Sequence, residues 1–183
     1  MYYTRLRTAI SRQILSLEGC IDFCQMYQFR EATKNDFEAI CQLVPNKEEL
    51  FLMHPNGQYP LTVAQIQELS RVRKELTVAV FEDRIIGFTD FYDFNVDKFA
   101  FIGNVIIHRD YRGRGVGRQM ISHMVKIAYE KYKLPEIRIS SFNQNAPALL
   151  LYSSLGFIPY EIEEKKDWDG NRIAMINLKM KRD

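Results

Sequence analysis

Apolar residues change their period several times along this chain. Over residues 1–25, Leu6, Ile10, Ile14, Leu17 and Ile21 recur at helical spacing with Arg5, Arg7 and Arg12 between them, which predicts an amphipathic helix as an N-terminal extension. Packing on the domain or on a second subunit, as a homodimer contact, is the favoured use; a membrane anchor would want more lysine and arginine on the polar face. Met26 is an alternative start. Residues 26–183 read as one domain. The pattern predicts strands over 27–31, 76–81, 84–92, 99–108, 136–142, 157–166 and 172–180, and helices over 33–43, 62–73, 119–131 and 146–155. Thr33 with Asp36, and Thr62 with Gln65, mark helix starts as capping boxes. Gly156 marks a helix end. Glu82-Asp83 and Asp169-Gly170-Asn171 are hairpin turns. Residues 46–59, rich in charge and aromatics, are expected to be irregular around Pro55-Asn56-Gly57. The order β-α-α-β-β-β-α-β-α-β-β argues for an α/β (α+β) layered domain, a mixed central sheet with helices on both faces.

Composition narrows the classes. A chain of 183 residues with 46% hydrophobic and 26% charged residues is long enough for one domain with a sizeable core. A net charge of +2 gives no reason to expect nucleic acid as a partner. Cys20, Cys24 and Cys41 make an odd set with no histidine close by, so no metal site is expected and the thiols read as small buried groups in a reducing compartment. No apolar run approaches the roughly 20 residues that cross a bilayer, and no secretory signal is visible, so a cytoplasmic protein without a membrane partner is expected.

The densest chemical signal is Arg112-Gly113-Arg114-Gly115-Val116-Gly117-Arg118, between an apolar strand and a helix. Such a bend exposes backbone N–H groups at a helix N-terminus, where unpaired donors and a partial positive charge favour a phosphate or pyrophosphate. The arginines add charge-assisted donors. A P-loop would need Gly-Lys-Ser/Thr where Gly117-Arg118-Gln119 stands, and a dinucleotide fingerprint would need glycine where Arg118 stands. The second signal runs from Asn145 to Phe157. Asn145 is a good N-cap. Ala148, Leu151, Tyr152 and Leu155 form one helical stripe, at whose edge a tyrosine can pack its ring and still present its hydroxyl.

Together these residues resemble the GNAT superfamily of N-acetyltransferases. Arg112, Gly115 and Gly117 match its Gln/Arg-x-x-Gly-x-Gly/Ala motif. Asn145, Ala148, Leu151, Tyr152, Gly156 and Phe157 match every specified position of its second motif, Asn-x-x-Ala-x-x-Leu-Tyr-x-x-x-Gly-Phe. The resemblance implies a fold in which two parallel strands, here 99–108 and 136–142, splay apart to admit acetyl-CoA. It implies that the backbone at Val105, Ile106 and Ile107 pairs with the pantetheine arm like an added strand. Arg112, Gly113, Arg114, Gly115, Val116, Gly117 and Arg118 would wrap the pyrophosphate, and Asn145 would hydrogen-bond the pantetheine.

The implied reaction is direct transfer of acetyl from acetyl-CoA to an amine (a small molecule, an amino acid or a protein amine) in a ternary complex. A backbone N–H near Ile106 or Ile107 would stabilise the carbonyl oxygen, and Tyr152 would be the general acid for the departing thiolate. The family's strand glutamate falls on Phe101; Asp90 or Asp93 is the alternative base, acting through water, though each reads more simply as a solvated or hydrogen-bonded strand-end residue. Acceptor choice is expected from residues 46–59, residues 90–97 and the hairpin around Trp168, which together hold Lys47, Glu48, Glu49, His54, Tyr59, Tyr92 and Trp168. His54 and His108 carry no metal constellation. Two alternatives stay open: a non-catalytic coenzyme A-binding regulatory module, and a nucleotide-binding protein using the Arg112–Arg118 bend.

Overall fold

A computed structural model describes residues 27–182; the helix expected over 1–25 lies outside them. The sheet has seven strands: β1 Gln28–Glu31, β2 Lys74–Phe81, β3 Arg84–Asn95, β4 Phe99–Ile107, β5 Glu136–Phe142, β6 Ile158–Lys166 and β7 Arg172–Lys181. The helices are α1 Phe37–Gln42, α2 Lys47–Met53, α3 Val63–Val72, α4 Val116–Glu130 and α5 Ala146–Ser154. Strand order is β1-β2-β3-β4-β5-β7-β6, antiparallel at every step except the parallel β4–β5 pair.

Adjacent residues of each strand point to opposite faces, and the helices divide accordingly. Val78, Phe88 and Ile106 pack against α1, α2 and α3 through Phe37, Ile40, Leu50, Ile66 and Leu69. Ala79 and Ile86 meet Val116 and Met120 of α4, while Ile102, Ile137 and Ile139 meet Ile121 and Met124 of α4 and Tyr152 of α5. Phe88, Ile66, Met120, Ile121 and Met124 are fully buried, and each such side chain contributes roughly 2 kcal/mol by leaving water.

Local sequence explains most boundaries. Glu82 and Asp83 both adopt positive φ, 47° and 61°, and close the β2–β3 hairpin without glycine. Residues 46–59 depart from expectation, because α2 forms there. Asn46 accepts from the Glu49 N–H at 2.8 Å, and Glu48 and Glu49 occupy the first turn, where the helix dipole favours them. Helix α4 starts three residues earlier than the apolar stripe predicted. Gly115, at φ 82°, is its left-handed N-cap, so the glycine-rich bend runs into the helix itself.

One irregularity opens the sheet. From Phe88↔Ile106 to Asp90↔Gly103, β4 advances three residues against two on β3, with Asn104 at φ 49°. A bulge of this kind bends its strand. Accordingly β4 and β5 pair only from Phe99↔Glu136 to Ile102↔Ile139. Beyond that point β4 follows β3 to Ile107, and β5 follows β7 to Phe142. The splay expected between these two strands therefore begins at the bulge.

Candidate active site

Both sequence signals converge on the mouth of the splay. A cavity of about 450 Å³ opens there, lined by Ile102, Gly103, Asn104 and Val105 of β4, by residues 139–142 of β5, and by Asn145 and Tyr152. The opposite wall comes from the end of α2 and the turn after it, from Arg73 and Tyr92, and from Lys165, Lys166 and Met175 of the β6–β7 hairpin.

The backbone of β4 supplies directed donors. His108 donates its N–H to Ile86 on the β3 side at 2.8 Å. Strand period two then turns the Ile107 N–H the other way, into the space that β5 has left. Ile106 points its side chain into the core, 5% exposed, and the same alternation turns its backbone toward β3, where it pairs with Phe88, so of the expected trio Val105 and Ile107 face the gap.

In the bend, the arginines are largely committed to the protein. Arg112 donates from Nε to the Ile107 carbonyl at 2.9 Å and forms an ion pair with Glu49, tying the end of β4 to α2. Arg118 donates to Ser154 Oγ at 2.6 Å, joining α4 to α5. Arg114 lies over the Tyr111 ring, 5.5 Å from its centroid. The open donors are in the backbone: Gly113 and Gly115 adopt φ 73° and 82° with free space where a Cβ would stand, and the N–H groups of Val116, Gly117 and Arg118 begin the helix. Gly117 has a different use. A Cβ there would lie 3.3 Å from Leu151 Cδ2, so its absence lets α4 approach α5.

Tyr152 is 5% exposed and packs on Phe157 while lining the cavity. Burial, with a smaller contribution from neighbouring Tyr92, raises its pKa well above the usual phenol value, so the hydroxyl remains a proton donor. Asn145 caps α5 by accepting from the Ala148 N–H at 3.3 Å, which leaves its amide NH₂ to the cavity side.

Of the two readings the sequence offered for Asp90, solvated or hydrogen-bonded, the structure has the hydrogen-bonded one. Asp90 is wholly buried; Asn104 at the bulge donates to Oδ2, and Oδ1 has no partner among the described residues. A Cβ on Gly103 would stand 3.1 Å from that Oδ1 and 2.5 Å from Tyr92 Cδ1. Glycine thus leaves room for Tyr92 and for the carboxylate, which lies behind Gly103 and does not itself line the cavity. Burial pushes the Asp90 pKa up to about 6, against the lowering effects of the Arg73 charge and the Asn104 hydrogen bond. Asp93 is exposed, at φ 44°.

Of the other side chains singled out for the acceptor, His54 and Tyr92 line the cavity. Trp168 meets Phe51 edge-on at 5.0 Å, and Phe51 stacks on Phe142 at 4.8 Å, so three aromatics bridge α2, β5 and the hairpin. Lys47 sits over Trp168 at 5.3 Å. Glu49 is spent on Arg112, Tyr59 donates to the Pro45 carbonyl at 2.8 Å, and Glu48 is exposed. His108 accepts from the Asp110 N–H outside the cavity. Arg73, Asn104, Lys165 and Lys166 were not anticipated. The visible signal was Gly103-Asn104, a small and a polar residue inside an otherwise apolar strand, which marks a bulge. Among the described residues no group of three or more His, Cys, Asp or Glu could hold a metal ion, and no helix is long and apolar enough to cross a membrane.

Comparison with known proteins agrees with this architecture. The spermine/spermidine N(1)-acetyltransferase of Bacillus subtilis strain 168 is 24% identical over 104 residues, 54% of this chain and 66% of that relative, slightly under two thirds of its length. The ribosomal-protein-S18-alanine N-acetyltransferase of Escherichia coli superposes with a TM-score of 0.68 at 20% identity, over 85% of this chain and 94% of that one. The Salmonella typhimurium protein yncA, solved with its cofactor acetyl-CoA, gives 0.68 at 18% identity over 86% and 95%. At these identities the structural likeness shows the fold. The model of the acetyltransferase (GNAT) family matches residues 31–157, more than half of the chain, and the chain belongs to that family.

Proposed function

We propose that the protein moves an acetyl group from acetyl-CoA to an amine held in the cavity. The observation that carries this reading is the divergence of β4 from β5 beyond Ile102 and Ile139, with Tyr152 lining the gap and the glycine bend at its end. Acetyl-CoA supplies the thioester. Unpaired N–H groups of β4 and of the α4 N-terminus hold its amide-bearing arm and its phosphates. The N–H that Ile107 turns into the splay is a preorganised donor for the carbonyl oxygen as charge gathers there. As the nitrogen–carbon bond forms and the carbon–sulfur bond breaks, Tyr152 donates a hydrogen bond or its proton to the sulfur. Asp90, ionised at neutral pH and unpartnered at its buried Oδ1, takes the amine proton through water relayed past Gly103.

Thiol release from acetyl-CoA with a panel of amines tests the proposal. Turnover with at least one amine is expected, and Tyr152→Phe should lower it at least tenfold while acetyl-CoA binding stays within twofold. Acetyl-CoA binding without turnover on any amine would favour the regulatory-module reading, whose one point in favour is Phe101 in place of the strand glutamate.

A further inference from the structure

Every fully charged side chain lining the cavity has the same sign. Arg73, Lys165 and Lys166 face it, and no aspartate or glutamate does among the described residues. Lys165 is offset by Glu163, 2.8 Å away. Arg73 and Lys166 form no ion pair among the described residues. His54 adds little positive charge at neutral pH, because burial first, and the Arg73 charge second, lower its pKa.

Arg73 is held in place without a direct ion pair. Its guanidinium lies over the Tyr92 ring, 4.7 Å from the centroid, which fixes its plane and leaves N–H donors at the edge. Planar forked donors of this kind match a carboxylate bidentately. A buried counter-charge is Asp90, whose unpartnered oxygen lies behind Gly103 and whose pKa already feels Arg73. An anion-selecting group and a group suited to an amine therefore both stand near Tyr92, Arg73 over its ring and Asp90 behind Gly103. The cavity is also modest in volume. About 450 Å³ must hold the acyl end of the donor as well as the acceptor, under the Phe51–Phe142–Trp168 bridge.

We propose that the acceptor is a small amine carrying a carboxylate, with the carboxylate on Arg73, Lys166 supporting it, and the amine turned toward Asp90. This rests on the acetyltransferase reading above and narrows it. A polyamine would bring only positive charge to a lining that is already positive, a like-charge penalty that discriminates against it. The polyamine substrates in the name of the Bacillus subtilis relative thus do not suit this cavity.

The test compares kcat/KM for a set of free amino acids, for their carboxamides and for spermidine, by thiol release with acetyl-CoA. The expected result is at least one amino acid preferred over its carboxamide by tenfold or more, and over spermidine by more. Arg73→Gln should raise the KM for that amino acid at least tenfold, bringing it level with the carboxamide, while the KM for acetyl-CoA changes less than twofold. Lys166→Gln, at an exposed position that cannot unfold the chain, should raise the same acceptor KM about threefold. Spermidine used as well as any amino acid, or Arg73→Gln acting on the acetyl-CoA KM in place of the acceptor KM, would overturn the assignment and leave the transferase intact. No thiol release with any amine would overturn the transferase, and this inference with it.

Discussion

Two aspartates are buried among the described residues, and they are treated in opposite ways. Asp36, at the corner between β1 and α1, receives both guanidinium nitrogens of Arg30 at 2.7 and 2.8 Å, and the Thr33 N–H and hydroxyl at 2.7 and 2.8 Å. The hydrogen bonds from Arg30, with those from Thr33, hold its pKa far below the usual carboxylate range despite burial. Asp90, at the bulge, has one hydrogen-bonding partner, one bare oxygen and a pKa near 6. A carboxylate whose lone pairs are satisfied holds a fold together. One left half-satisfied beside a cavity is a cost to the fold that a reaction can use.

The largest effect should come from Asp90→Asn. The substitution keeps shape and removes the proton acceptor, so turnover should fall about a hundredfold, within the range for loss of a general base; turnover within threefold of the parent would remove Asp90 from the reaction. The same variant should be more stable than the parent at pH 8. A carboxyl whose folded pKa exceeds its unfolded value stabilises fully below the unfolded value and loses that contribution as pH rises through about 6. Urea midpoints across pH 4 to 8 should therefore show a gap that opens with pH, reaching at most about 3 kcal/mol, at about 1.4 kcal/mol per pKa unit. A gap constant with pH would contradict the assigned burial.

Asp36→Asn should behave in reverse. It should cost about 2 kcal/mol at pH 7, discounted because Arg30 is 46% exposed, while activity per folded molecule stays unchanged. Its folded pKa is depressed, so its contribution is present above the unfolded value and lost as pH falls below that value toward the folded one. Acid unfolding of the parent should accordingly begin at this corner, as loss of hydrogen-exchange protection in β1 and α1 before β4. The smallest effect is expected from Gly103→Ala. Crowding against Tyr92 and Asp90 Oδ1 should cost about 1 kcal/mol of stability and raise acceptor KM severalfold, with acetyl-CoA KM unmoved.

The same contrast explains what the sequence revealed. The Asp36 corner was legible because its partners lie within six residues and follow a capping pattern. The glycine bend and the Asn145–Phe157 helix were legible for a like reason: backbone geometry demands particular residue types at short spacing. The Asp90 side of the site unites Arg73, Tyr92, Asn104 and Lys166 from distant segments, and only the sheet register and the bulge bring them together. No short-range period encodes that. The bend also holds what short spacing leaves out: Arg112 and Arg118 reach Glu49 and Ser154, 63 and 36 residues away in sequence.

Hydrogen exchange of the backbone amides, with and without acetyl-CoA, reads the β4–β5 opening directly. New protection should appear at residues 103–107 and 113–118, while Phe99 to Ile102, already paired with β5, should change little. Protection confined to the bend, with 103–107 exchanging as freely as before, would show that the donor does not lie between these strands and would contradict the proposed chemistry.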